Sequence, residues 1–543
     1  MFRITVILSL ILACAHAEIT LQDINSKPSG RMKNFMIWQF LKQEITPKEA
    51  DKAYAQVTGK SNYLLNMYLK ISITPEIKRT IDCQNNKDLL SIKEKECLEL
   101  ALSPYKTLAM TNKQREELSK RLDSDFFKKL LKIQSEPYSL EAYKSYDPNT
   151  ILTMFVSTTQ NHRRTHLNLD LDSKFLSSLS TPETSQLKLS SFIKIIINDD
   201  KLDKLQKSLL RLNGEHMDGV NNFTLGLHHL KLSRTREAIE HFELSKLKSN
   251  DQADKDKATF WLYQITKDKK YLTQLVSSMS INMYSLYAAD ILKKNFTNYF
   301  TSVKFTQSEN KKNIENPFDW SDILSEMKAA PKDKLFDLAL KYNQKNMITV
   351  QSYILEKAYE SKKHNFLMPY DEYLTEISTD EKALVYAIMR QESALIPAAL
   401  SNSFALGLMQ IMPFVTDDLS KTIKNPITSY NDMFIPQYNI RYALKHLDWM
   451  KKSLYHPLFT AYAYNGGMGF LQKHLQTGAF SKGKYEPFLS MEMMSNSESR
   501  EYGKKVLANY VMYKKILGEE VSIVNLFDTL TQPMKTDRFR AQG

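Results

Sequence analysis

Residues 381–413, EKALVYAIMRQESALIPAALSNSFALGLMQIMP, place one carboxylate, Glu392, among neighbours that change how it holds a proton. Counting back from Glu392 by three, four and seven residues reaches Met389, Ile388 and Val385, which share one face of a helix. The carboxylate therefore projects from an apolar stripe, and Lys382 and Arg390 fall on the side open to solvent. Burial disfavours the charged form and raises a carboxyl pKa. A carboxyl that keeps its proton near neutral pH suits a general acid, which must deliver that proton to a leaving group. The same pattern also fits a buried glutamate paired with an arginine, because structural ion pairs perturb pKa values as well.

Three further segments follow in order. After Ser401 comes Gly407-Leu408-Met409-Gln410-Ile411-Met412-Pro413, where one amide side chain sits among apolar neighbours and needs partners. Residues 461–469, AYAYNGGMG, carry an aromatic helix end into a glycine-rich turn. Aromatic faces beside amides are what a sugar-binding groove requires. Last, Glu498-Ser499-Arg500-Glu501-Tyr502 leads into Val506-Leu507-Ala508-Asn509-Tyr510.

Taken in this order, the segments resemble the catalytic domain of soluble lytic transglycosylases, relatives of goose-type lysozyme. The resemblance rests on Glu392-Ser393, on Ser401 ahead of the run Gly407 to Pro413, on Tyr464-Asn465, and on Glu498 to Tyr502. It departs at Phe404-Ala405-Leu406, at Gly466-Gly467, at Met468 and at Ser499, changes that bear on groove shape more than on chemistry.

The resemblance implies a reaction run by a single carboxyl. Glu392 would protonate the β-1,4 glycosidic oxygen between N-acetylmuramic acid and N-acetylglucosamine, while the muramic N-acetyl group stabilises charge at C1. Glu392, now a carboxylate, would take the proton of the C6 hydroxyl as that oxygen attacks C1, leaving a 1,6-anhydromuramoyl end and consuming no water. Most glycosidases use two carboxylates, and no obvious second one stands near Glu392. Asp417 and Asp418 lie at a helix start, where acidic side chains favour the dipole, and Asp432 and Asp448 read as structural. By the same resemblance Ser401, Gln410 and Asn465 would hold substrate or Glu392 by hydrogen bonds, and Tyr502 would sit near the carboxyl. Tyr464 either stacks on sugar or packs against the Glu392 helix. Met409 and Met412 are core residues by type, but the family allows a Met at the sugar wall, so Met409 joins the substrate-binding candidates. Two alternatives remain: a muramidase that uses water, and a cell-wall-binding scaffold with a weak catalytic domain.

Helices must position these groups. Ser378 and Glu381 have the spacing of a capping box and Pro397 limits continuation, which predicts a helix over 381–395. Only 14 residues are glycine, and six of them lie between Gly407 and Gly483, so the rest of the chain lacks the turns that hairpins demand. Leu-, Lys-, Glu- and Gln-rich segments with helical spacing dominate from about 30 to 365, and an all-α fold follows. Gly226-Leu227, Ala238, Phe242, Ala258, Trp261 and Leu262 are spaced like paired helices of a tetratricopeptide-like solenoid. Residues 282–290, NMYSLYAAD, resemble the aromatic-Ala-Ala helix that precedes the catalytic domain in this family. The resemblance thus implies, after a signal peptide at 1–17, a superhelical solenoid or ring of short helices over 18–290, a helical linker domain over 291–368 and a lysozyme-like α-helical catalytic domain over 369–535. Residues 308–319 are polar and read as a loop near a subdomain junction.

Met1-Phe2-Arg3, the apolar run 4–15 and the small-x-small site Ala15-His16-Ala17 read as a secretory signal, too short to span a bilayer. The run ending at Cys14 is also compatible with lipoprotein cleavage. A periplasmic protein is expected. Cys83 and Cys97 are then an even pair in an oxidising compartment, either bonded or left as thiols on neighbouring helices. The net charge of +13 and pI near 9.1 invite a nucleic-acid reading, but no reader motif is present. A basic surface built from runs such as 201–207 and 255–270 would instead concentrate peptidoglycan, whose stems carry carboxylates, although ordinary solvated helix faces account better for any individual run. The 11 histidines show no paired ligand spacing, and His228 and His229 are adjacent and point apart. No metal and no cofactor are expected, and neither a nucleophile elbow nor a phosphate loop occurs. The expected partners are peptidoglycan glycan strands and cell-wall synthesis proteins, met by a monomer with no transmembrane span.

Overall fold

The computed structural model describes residues 19–59, 61–360 and 362–540. The expected signal peptide at 1–17 and the Cys14 alternative lie outside them. The described chain is all-α. Its one sheet is a parallel pair of two-residue strands, Tyr299–Phe300 and His364–Asn365, with Tyr299 opposite His364. No described helix is long and apolar enough to cross a membrane.

The chain forms two compact units. One comprises Thr74–Asn295 with Lys482–Ser495. In it the helices Gly219–Lys231, Thr235–Lys248, Gln252–Thr266, Lys269–Val276 and Met283–Ile291 each pack on the next. A Cβ on Gly226 would lie 2.7 Å from the Phe242 ring, so only glycine permits this approach. Ala238, Phe242, Ala258, Trp261 and Leu262 are fully buried, and Phe242 stacks on Trp261. The residues whose spacing pointed to solenoid pairs therefore do pack as stacked helices. Cys83 and Cys97 are bonded, tying Pro75–Asn85 to Lys95–Ala101.

The other unit comprises the described residues up to Ile73, Phe296–Ser481 and Asn496 onward. The resemblance placed the first of these segments in the solenoid. Its helix Arg31–Phe40 packs instead within this unit, with Phe35 and Trp38 against Phe404 and Tyr430. Periodicity shows that a helix has an apolar face, not which element covers it. The polar loop after residue 308 ends at Asn316, whose side chain caps the helix Pro317–Ala329; proline at the first helical position is pre-set for that start. Asp319 is therefore helical, not part of the loop. A core of Trp320, Ile323, Tyr342, Val350 and Ile354 includes Ile396 and Ala398, just past the Glu392 helix.

Candidate active site

Glu392 is carried by the helix Thr379–Ser393. The Ser378 hydroxyl accepts from the Glu381 amide, and the Glu381 carboxylate accepts from the Ser378 amide, closing the capping box. The helix lies two residues earlier at each end than predicted, because Ser378 is itself the cap and Ala394 turns left-handed at φ 51°, ahead of Pro397. Val385, Ile388 and Met389 are buried, as the stripe requires.

Arg390 does not face solvent as expected. Its guanidinium donates to the Asn365 carbonyl, the Asn509 side chain and Glu356, and lies over the Phe366 ring. Lys382 is likewise held, by Asp371 at 2.9 Å. The arginine partner therefore belongs to Glu356, and among the described residues Glu392 has none.

Instead, Tyr502 donates a 2.7 Å hydrogen bond to Glu392 Oε1. Burial pushes the Glu392 carboxyl up to about 7; the Tyr502 bond works against this, and the charge of Glu498 adds to it. The hydroxyls of Tyr502 and Tyr464 are raised well above the usual range, first by burial and then by the charge of Glu392, so both remain donors. With Oε1 accepting from Tyr502, Oε2 is the oxygen left to carry the proton of the neutral carboxyl.

Tyr502 comes from the helix Ser497–Ile516, which Asn496 caps. Gly503 lets this helix close on Pro457–Gly466, for a Cβ there would stand 2.2 Å from the Tyr462 ring. Glu498 lies one turn before Tyr502 on the same face and is exposed. Its charge reaches Glu392, an influence that the reading around Glu392 did not find and that its i, i+4 spacing from Tyr502 could have signalled.

Asn465 spends its amide on this helix: its Oδ1 accepts from the Ser499 hydroxyl at 2.7 Å and its Nδ2 donates to Glu498 at 3.3 Å. Tyr464 donates to the Met409 carbonyl at 2.7 Å, and its ring meets His446 edge-on, so packing and not open stacking describes it. Met409 is fully buried, which overturns a sugar-wall role for its side chain; it contributes its carbonyl. Gln410, at φ 47°, donates to the carbonyls of Ala399 and Gly407, leaving Oε1 as an acceptor. The Ser401 hydroxyl accepts from the amides of Ser403 and Ala405, leaving its own proton to donate. Left-handed backbone at Ala394, Leu395, Phe404 and Gln410 concentrates strain here, as functional loops often do.

Asn439 escaped the sequence reading. Fully buried, it donates to the carbonyls of Leu406 and Met433 and accepts from the Met409 amide, pinning the loop that presents Gln410. Gly407 makes room for it: at φ 72°, a Cβ would meet Asn439 at 2.3 Å. Of the other acids considered, Asp417 accepts from Tyr430, Asp432 from the amides of Thr428 and Ser429, and Asp418 pairs with Lys421. Glu392, Ser401 and Gln410 line one cavity of about 670 Å³, together with Arg31, Trp320 and Tyr353. A proton donor, a hydroxyl donor and an amide acceptor thus face one space large enough for sugar rings.

Residues 372–486 match the family described as Transglycosylase SLT domain. The soluble lytic murein transglycosylase of Escherichia coli K12 is 26% identical over 212 residues, 38% of this chain and 32% of that protein. A putative soluble lytic murein transglycosylase of Haemophilus influenzae is 27% identical over 299 residues, 50% of this chain and 48% of that one. The matches thus span a third to a half of these relatives' length. In fold, the chain is similar to an inactive mutant of the lytic transglycosylase Slt from Pseudomonas aeruginosa, with TM-score 0.50 at 15% identity, over 92% of this chain and 89% of that one. Residues 372–486 thus carry a transglycosylase SLT domain, and the chain as a whole is similar to soluble lytic murein transglycosylases.

Proposed function

We propose that the protein cleaves the β-1,4 bond between N-acetylmuramic acid and N-acetylglucosamine in peptidoglycan, with Glu392 as acid and then base. The observation that carries this reading is a carboxyl raised to about 7 with no cationic partner among the described residues, facing a cavity and oriented by Tyr502. In the first step the proton on Oε2 passes to the glycosidic oxygen, the C1–O bond breaks, and the sugar's N-acetyl oxygen supports the charge at C1. In the second, the C6 hydroxyl oxygen bonds to C1 and its proton returns to Glu392, so the enzyme is regenerated and no water is used. The Ser401 hydroxyl and Gln410 Oε1 would hold the glycan as donor and acceptor. Asn465 acts through Glu498 and Ser499 to fix the first turn of the Tyr502 helix. This reading includes a periplasmic location, action as a monomer, a helical linker domain over 291–368 and a catalytic domain over 369–535.

Mass spectrometry of muropeptides released from purified cell walls tests it. Wild-type protein should give products one water lighter than hydrolysed ones, and Glu392→Gln should lower the rate by at least about 10³-fold. Reducing-end products would mean that water reaches C1 and that the enzyme is a muramidase. An inert wild-type protein would favour the scaffold.

A further inference from the structure

We propose that Arg31 gives this site its preference for stem-bearing glycan by binding a carboxylate of the peptide attached to muramic acid. The inference rests on the reading above and deepens it. Arg31 is the first residue of the helix Arg31–Phe40, far in sequence from Glu392, yet both line the same cavity. Its Nη1 donates at 2.6 Å to the Leu400 carbonyl, which anchors the guanidinium beside Ser401 and the Ala399 carbonyl that holds Gln410. The Nε and Nη2 edge makes no hydrogen bond or ion pair to a described residue. Nothing local neutralises the charge either, since the first turn of the helix carries no acidic residue and Gly30 supplies no capping side chain. The other arginine on the wall, Arg390, is spent on Asn365, Asn509 and Glu356.

Arg31 is also absent from the influences on Glu392, which are burial, Tyr502 and Glu498. A cation close to Glu392 would stabilise its carboxylate and weaken the acid. The cavity therefore keeps an uncommitted guanidinium on its wall without spoiling its proton donor. Of the two alternating sugars only muramic acid bears a lactyl arm, and that arm carries the peptide carboxylates. A guanidinium edge pairs with a carboxylate through two parallel hydrogen bonds, so an anchored arginine here can tell the sugars apart and set the register of the strand.

The test compares glycan strands with intact stems, the same strands stripped by an amidase, and strands whose stem carboxylates are amidated. Wild type should favour intact stems in kcat/KM. Arg31→Gln should shrink the ratio of intact to stripped about tenfold, through KM. Arg31→Lys should restore part of it, having charge but no fork, and amidated stems should mimic the Gln variant. An unchanged ratio in Arg31→Gln overturns the proposal, as does an equal loss on all three strands, which would mark a structural role; thermal melting checks the fold. If wild type releases nothing from any strand, the enzymatic reading fails separately. Calorimetry of a stem-bearing disaccharide on Glu392→Gln protein then decides for Arg31: about tenfold weaker binding with Arg31→Gln added sustains the proposal, and equal affinity overturns it.

Discussion

At the scale of residues, Glu392 shows how one environment serves two ends. Its carboxyl is moved from 4.5 to about 7 chiefly by burial. The folded protein therefore holds this proton more tightly than the unfolded chain does. The resulting stability is complete below pH 4.5 and is lost as pH rises through about 7, a difference of up to about 3 kcal/mol. Glu392→Gln removes the ionisation, so this variant should melt higher than wild type at pH 8 and match it near pH 4. Equal melting at pH 8 would show that the site is better solvated than its geometry implies. Glu498 tests the other influence. Its negative charge helps keep the proton on Glu392, so Glu498→Gln should lower the carboxyl pKa. An acid must be protonated to work, so the alkaline limb of kcat/KM should move to lower pH. Because Glu498 is exposed, the shift should shrink as salt is added. A limb that does not move would separate Glu498 from the reaction.

At the scale of elements, the site depends on how closely two helices meet. The helix Ser497–Ile516 brings Tyr502 to Glu392 only because Gly503 lies flat against Tyr462. Gly503→Ala should force the helices apart, destabilise by about 1–3 kcal/mol and cut kcat by up to about a hundredfold as the Tyr502 bond is misplaced. Unchanged kcat with a lowered melting point would confine the glycine to packing. The contrast with Glu392 explains what could be read in advance. The capping box at Ser378, the stripe of Val385, Ile388 and Met389 and the Gly226–Trp261 spacing are local, and local spacing fixes helix faces. The pairing of Gly503 with Tyr462, the clamp of Asn439 on Leu406 and Met433, and Arg31 beside Leu400 join distant residues. Nothing in the spacing around any of them records its partner. Arg390 erred for the same reason, since the helix wheel placed it on the polar side and could not foresee Glu356 or Phe366 there.

For the molecule as a whole, the charge of +13 is the property that no single contact explains. Part of the basic surface is locally neutralised: in the run 255–270, Lys257 pairs with Asp254 and Lys270 with Asp268. Lys201, Lys204 and Lys207 are exposed, and the surplus spreads over many such side chains. A distributed surplus acts at range, raising the local concentration of an anionic polymer and speeding encounter. It does not alter the barrier at Glu392, which sits among tyrosines and apolar residues. Salt should therefore separate capture from chemistry. As the screening length falls from about 10 Å at 0.1 M to about 3 Å at 1 M, KM for stem-bearing glycan should rise several-fold while kcat holds. Arg31→Gln should raise KM at every salt concentration yet leave most of the salt dependence in place, because it removes one anchored contact and only one of many charges. A KM indifferent to salt would mean that the basic surface plays no part in gathering substrate. Loss of the whole salt dependence in the Arg31 variant would mean that the cavity alone reads the stem charge.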